Sequence, residues 1–171
     1  MNKMKEIRIE KITLNIGAGK DANKLEKGMK LLKLLTGIEP IKTFTTKRIP
    51  GWSLRPGLPI GCKITLRGEK AREILKQLLE ANDFLLKDKQ FDNNGNVAFG
   101  IKEYIDIPNI KYDPEISIMG FEICVTLERP GYRVKKRRNL KSKIGKMHKV
   151  NKEEAISFMQ ENFNIKLNQE G

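Results

Sequence analysis

Three prolines and three glycines crowd into a short stretch of this chain: Pro50, Gly51, Pro56, Gly57, Pro59 and Gly61. A proline ring locks φ and removes a backbone donor, so residues 46–59 can build neither a regular helix nor a central strand. Immediately afterwards Ile60, Cys62, Ile64 and Leu66 alternate with Gly61, Lys63, Thr65 and Arg67, the period of a strand with one buried face. Before it, residues 41–46 form a short Thr-rich run suited to a half-buried strand. A connection of this length and composition between two strands has to project as a loop. Residues 40–68 also carry Lys42, Lys47, Arg48, Arg55, Lys63 and Arg67 with no Asp or Glu, which predicts a negatively charged partner.

Charge is concentrated rather than spread. The chain has 34 Lys and Arg against 21 Asp and Glu, a net charge of +13. Residues 129–149 hold ten basic residues and no acid, so the chain outside these two stretches keeps 18 basic and 21 acidic residues. A solvated helix face normally alternates Lys with Glu; a one-signed run repels itself and calls for a polyanion. Nucleic acid is therefore the expected partner class. With 171 residues the chain is long enough for one domain with a real core. The expected organisation is a single domain over 1–171, with loop 46–58 projecting and segment 129–149 as an extension before a C-terminal helix.

Other patterns fill in the scaffold. Ile12, Leu14 and Ile16 mark a first strand, and the opposite parity of Ile7 and Ile9 predicts a bulge near Glu10. Asp21 is placed to cap a helix carrying Leu25, Met29, Leu32 and Leu35, which Gly37 ends. Ala71, Ile74, Leu75, Leu78 and Leu79 define a second amphipathic helix. Met119, Phe121, Ile123, Val125 and Leu127 alternate as another strand, and Asn151 with Glu154 opens a last helix bearing Ala155, Ile156, Met159 and Phe163. Residues 84–118 contain a turn signal at 92–96 but no geometry that periodicity resolves. Short connections in mixed order predict an α+β, two-layer fold: an antiparallel sheet with helices packed on one face and a long projecting basic loop.

With the apolar parity facing the helices, the other sheet face presents Lys11, Thr13, Asn15, Lys63, Thr65, Arg67 and Thr126, with Gly17, Gly19, Gly61 and Gly68 admitting close approach. The face is expected to be almost free of carboxylates and to meet RNA. No aromatic falls on it, so phosphates, 2′-hydroxyls and shape are the expected readout rather than base stacking. Trp52 at the loop tip either folds back to pin the loop or touches RNA.

Catalytic signals are thin. Residues 17–21 place Gly-Lys before Asp21 but lack the distal Gly and the Ser or Thr of a phosphate loop. His148 is the only histidine and has no assigned partner, and Cys62 and Cys124 lack both metal-ligand spacing and a nearby base. No enzyme activity, cofactor or metal is expected. No apolar run reaches membrane-spanning length and no signal segment opens the chain, so a cytoplasmic protein with reduced thiols and no membrane partner is expected.

Four motifs carry a family resemblance: residues 15–19 (Asn-Ile-Gly-Ala-Gly), 35–40 (Leu-Thr-Gly-Ile-Glu-Pro), 49–68, and 99–103 (Phe-Gly-Ile-Lys-Glu). Together they resemble the large-subunit ribosomal protein five family, the universal 5S rRNA-binding ribosomal protein. The tail, with Arg129-Pro130-Gly131-Tyr132, the basic run 135–138 and Gly145-Lys146 before His148, is similar to the archaeal and eukaryotic branch and points to an archaeal source. The resemblance implies a structural constituent that binds 5S rRNA, helps seat it in the central protuberance and contacts large-subunit rRNA. It also implies that the projecting loop reaches peptidyl-site tRNA, with neighbouring central-protuberance proteins and a small-subunit head protein as further partners.

Carried over by position, 5S contact falls on Asn15, Gly17, Gly19, Thr65, Arg67 and Gly68, and the open-face reading adds Lys63. Transfer RNA contact falls on Lys47, Arg48, Trp52, Ser53 and Arg55. Further rRNA contact is assigned to the basic segment: Arg133, Lys135, Lys136, Arg137 and Arg138, then Lys141, Lys143, Lys146 and His148. Where the family often has Gln after Gly37, this chain has Ile38, so no RNA hydrogen bond is assigned there. The competing class is a general RNA chaperone or non-specific nucleic-acid binder, which would use the same patches without a fixed site.

Overall fold

The computed structural model describes residues 2–108 and 110–168. In chain order these form strand β1 (Arg8–Gly17), helix α1 (Ala22–Thr36), β2 (Ile41–Phe44), β3 (Pro59–Leu66), α2 (Glu69–Glu80), β4 (Leu85–Lys87) and β5 (Val97–Ile101). They continue with β6 (Phe121–Glu128), a short α3 (Arg133–Lys136), α4 (Lys152–Phe163) and β7 (Lys166–Asn168). Five strands make one sheet in the order β2-β3-β1-β6-β5, with every neighbour antiparallel. This is the α+β arrangement that the strand and helix periods predict.

Parity decides the two faces. Ile12, Leu14 and Ile16 of β1, Cys62, Ile64 and Leu66 of β3, and Ile123, Val125 and Leu127 of β6 are buried on the helix side. Leu25, Leu31 and Leu32 of α1 and Leu75, Leu78 and Leu79 of α2 join them in one apolar cluster. Removing such side chains from water supplies about 1.5–3 kcal/mol each, so the pattern of apolar positions dictates which face the helices cover. The approach of α1 is close: a Cβ built on Gly28 would lie 3.1 Å from the Ile16 side chain and 3.2 Å from Cys62 Sγ. That burial pushes the Cys62 thiol up to about 11, so it stays protonated.

Local signals act where the sequence placed them. Asp21 accepts hydrogen bonds from the backbone N–H groups of Asn23 at 2.9 Å and Lys24 at 3.2 Å, and Gly37 closes α1 in the left-handed conformation at φ 66°. The register of β1 against β6 shifts between Ile9 and Lys11, the expected bulge at Glu10. Glu154 accepts from the Asn151 backbone N–H at 3.0 Å and opens α4.

Two features lie beyond the sequence reading. Strands β4 and β7 pair in parallel, tying the end of α4 back to the segment after α2. Residues 84–118, which periodicity leaves open, contribute the outer strand β5 and place Tyr104, Ile107 and Ile116 in the core, with the Tyr104 hydroxyl accepting from Asp113 N–H at 2.9 Å.

Candidate nucleic-acid interface

The face opposite the helices assembles the expected residues in register. Ile41, Lys63, Asn15, Glu122 and Gly100 make one cross-sheet row, and Thr65, Thr13, Cys124 and Ala98 the next. Lys11 pairs with Thr126 one row further on. Lys63, Thr65 and Arg67 are exposed, while Lys11, Thr13, Asn15 and Thr126 are half-buried between their neighbours. Gly17 and Gly19 are exposed, and a Cβ on either would meet nothing within 4 Å. The backbone there is open to a partner. Gly68, at φ 68° and ψ −146°, holds a conformation that other residues rarely adopt as it turns β3 into α2.

The expectation of a face almost without carboxylates is corrected. The parity that buries Ile123 and Val125 turns Glu122 outward, where its carboxylate accepts from Asn15 Nδ2 at 3.4 Å. Glu128 and Glu10 lie at the end of the same face, but both are neutralised: Arg8 Nη2 is 2.8 Å from Glu128, and Lys136 Nζ is 2.6 Å from Glu10 and 2.9 Å from Glu128. Burial by itself would raise the Glu128 carboxyl. The hydrogen bonds and charges of Lys136 and Arg8 outweigh it and hold the carboxyl below the usual glutamate range. Cys124 sits exposed in the face, its thiol raised by partial burial and then by the Glu122 charge. It is accordingly a poor nucleophile at neutral pH.

The loop between β2 and β3 is a closed hairpin rather than a slack connection. Thr45 N–H donates to Leu58 O at 3.0 Å and Gly57 N–H to Thr45 O at 2.9 Å, and further out Ile49 and Leu54 exchange two hydrogen bonds of 3.1 Å. A 3₁₀ turn over Pro50–Trp52 makes the tip, with Ser53 left-handed at φ 54°. Leu54 is buried, whereas Trp52 is 70% exposed and does not fold back. Lys47, Arg48, Ser53 and Arg55 are exposed along the same hairpin.

The basic segment behaves differently because its two ends are built into the body. Arg129 is only 6% exposed; its guanidinium donates to Glu154 at 2.7 Å and to Lys149 O at 3.3 Å. Tyr132 Oη accepts from Val150 N–H at 2.8 Å, and His148 Nε2 lies 2.8 Å from Pro130 O with its ring edge-on to Tyr132. His148 and Lys136 therefore already have polar partners within the chain. Arg137 Nε donates to Leu140 O at 2.8 Å, while Arg133, Arg138 and Lys141 are exposed.

The remaining cations converge. Lys135, Lys143, Lys146 and Lys149 of the segment line, together with Lys11 and Arg67 of the sheet, one groove of about 760 Å³. Asn94 and Asn96, from the turn before β5, also line it. Sequence reasoning gave both basic sets RNA contacts without bringing their residues into one site, and the asparagines only a turn; no signal in the chain links positions 67, 94 and 143. Among the described residues, no group of three or more His, Cys, Asp or Glu is arranged to hold a metal, and no helix is long and apolar enough to cross a membrane.

A helix-backed antiparallel sheet with cations, hydroxyls and open glycines on its free face, flanked by two basic extensions, is the build of a nucleic-acid-binding α+β protein. Comparison with known proteins makes this specific. Residues 2–55 match the family model described as ribosomal protein L5, and residues 59–158 match the model of the same ribosomal family's C-terminus. A large ribosomal subunit protein uL5 from Nanoarchaeum equitans is 54% identical over 165 residues, covering 96% of this chain and 97% of its own. Those of Sulfolobus acidocaldarius and Methanobrevibacter smithii are 48% and 44% identical, each over 96% of this chain and over 92% and 97% of their own lengths. The chain belongs to the ribosomal protein L5 family. These relatives are archaeal, the branch that the tail residues indicated, and they are structural ribosomal proteins rather than enzymes.

Proposed function

We propose that this protein is a structural constituent of the large ribosomal subunit that binds 5S rRNA through the open sheet face and helps seat it in the central protuberance. The observation that carries the reading is the row Lys63-Asn15 beside exposed Thr65, Arg67 and the open backbone of Gly17 and Gly19, in a chain of the L5 family. Cations there meet phosphates, and the hydroxyls and the amide can reach 2′-hydroxyls and base edges. Exposed Lys47, Arg48, Trp52, Ser53 and Arg55 suit the hairpin to touch peptidyl-site tRNA, and the basic segment adds large-subunit rRNA contacts. Neighbouring central-protuberance proteins and a small-subunit head protein complete the proposed surroundings. We treat 1–171 as one domain bearing these two extensions, supported by the single apolar cluster shared by the sheet and helices.

The test is a titration against 5S rRNA and an unrelated RNA of equal length, each at low and physiological salt. A preference for 5S rRNA that persists at the higher salt is the expected result. Equal affinities that collapse together would overturn the 5S assignment and leave a general RNA binder.

A further inference from the structure

The groove between the sheet end and the basic segment joins residues that the reading above assigns to different RNA contacts. Its lining comes from stretches far apart in the chain: Lys11 and Arg67 from the sheet, Lys135, Lys143, Lys146 and Lys149 from the basic segment. The one carboxylate among its lining residues, Glu10, is held by Lys136 at 2.6 Å. The one aromatic among its lining residues, Tyr132, has its hydroxyl fixed by hydrogen bonds from Val150 and to His148 O, so the ring is not free to turn and follow a base. The wall is also built before any ligand arrives, through Arg129–Glu154, Lys136–Glu10 and Lys136–Glu128. Such preorganisation lowers the ordering cost of binding.

From this geometry we infer that the groove clamps a single sugar-phosphate strand of RNA, so that Arg67 and the segment lysines grip the same backbone rather than two separate RNAs. Cations from two distant parts of the chain that line one cleft of about 760 Å³ can neutralise the successive phosphates of one strand held in it. Asn94 and Asn96 supply neutral polar partners beside the strand. The inference rests on the RNA-binding reading above and divides its surfaces differently: Arg67 and Lys143 belong to one site.

A double-variant cycle tests it with the full chain, using Arg67→Gln, Lys143→Gln and their combination. Both side chains are exposed, so the core is untouched. Binding is measured to polyuridylate, an unstructured strand that reports backbone contacts at every basic surface, and to 5S rRNA with its length-matched control, which probes the proposed function. Each single change is expected to weaken polyuridylate binding and flatten the log–log salt slope by about 1. The combined loss should fall short of the product of the single losses by roughly twofold or more. Arg48→Gln on the hairpin is the control, and its loss should multiply with that of Arg67→Gln. Losses at 67 and 143 that simply multiply would overturn the shared strand, as would equal coupling with position 48. Loss of 5S preference with coupling intact on polyuridylate would instead overturn the 5S assignment and leave the groove standing.

Discussion

The two acid-free basic stretches look alike as sequence and are built in different ways. In the hairpin, the hydrogen bonds that shape the loop are local, between backbone groups of residues 45–58 and from the Thr45 hydroxyl to Lys47, and its cations stand clear on the surface. In the segment 129–149, three of the ten cations are engaged in the fold or in internal contacts: Arg129 with Glu154, Lys136 with Glu10 and Glu128, and Arg137 with Leu140 O. A run of like charge therefore mixes residues that hold the protein together with residues available to a ligand. Burial and partner geometry separate the two.

The comparison is broken most directly at Arg129. Glu154→Gln leaves a buried guanidinium without its counter-charge, and we expect a loss of about 2–3 kcal/mol in a urea melt, against changes within about 0.5 kcal/mol for Arg48→Gln or Arg55→Gln. If Glu154→Gln is as mild as the hairpin changes, the segment is no more anchored than the loop.

Next in size, Arg67→Gln or Asn15→Ala should weaken 5S rRNA binding roughly tenfold while the melting curve stays in place. Unchanged affinity for both would remove the sheet face from the interface. The hairpin changes Arg48→Gln and Arg55→Gln should leave 5S affinity within about twofold, and a larger loss would mean that the hairpin and the face form one surface.

Acid sharpens the same contrast more gently. Burial opposes ionisation of Glu154, but the hydrogen bond from Asn151 and the Arg129 charge prevail and hold its carboxyl below the ordinary range; Glu128 is likewise held low by Lys136 and Arg8. A depressed folded-state pKa stabilises fully above the unfolded value of about 4.3 and is lost as pH falls through the lower folded values. Stability should therefore hold from neutrality down to about pH 5 and decline below about pH 4. In Glu154→Gln the acid-sensitive part of that decline should shrink. An unchanged acid profile would mean that the ion pair does not hold the segment in solution.

Much of the scaffold was legible because it is local. Alternation at β1, β3 and β6, the Asp21 cap, the bulge at Glu10 and the Asn151–Glu154 opening each depend on residues a few positions apart, where period and side-chain reach are set by backbone geometry. The same parity assembled Lys11, Thr13, Asn15, Lys63, Thr65 and Arg67 on one face before any fold was known. It also held the information that Glu122 shares that face; the count of carboxylates simply passed over it.

By itself, then, the sequence determined the faces of the strands, the helix ends, the break between residues 46 and 59, and the sign of the partner's charge. Each follows from short-range stereochemistry or from composition. Only the tertiary structure decided that Arg129 is a core cation, that Lys136 straddles Glu10 and Glu128, and that Arg67 and Lys143 line one groove. Those relations join residues far apart in the chain, and what brings them together is the packing of the whole apolar core, which no local pattern encodes.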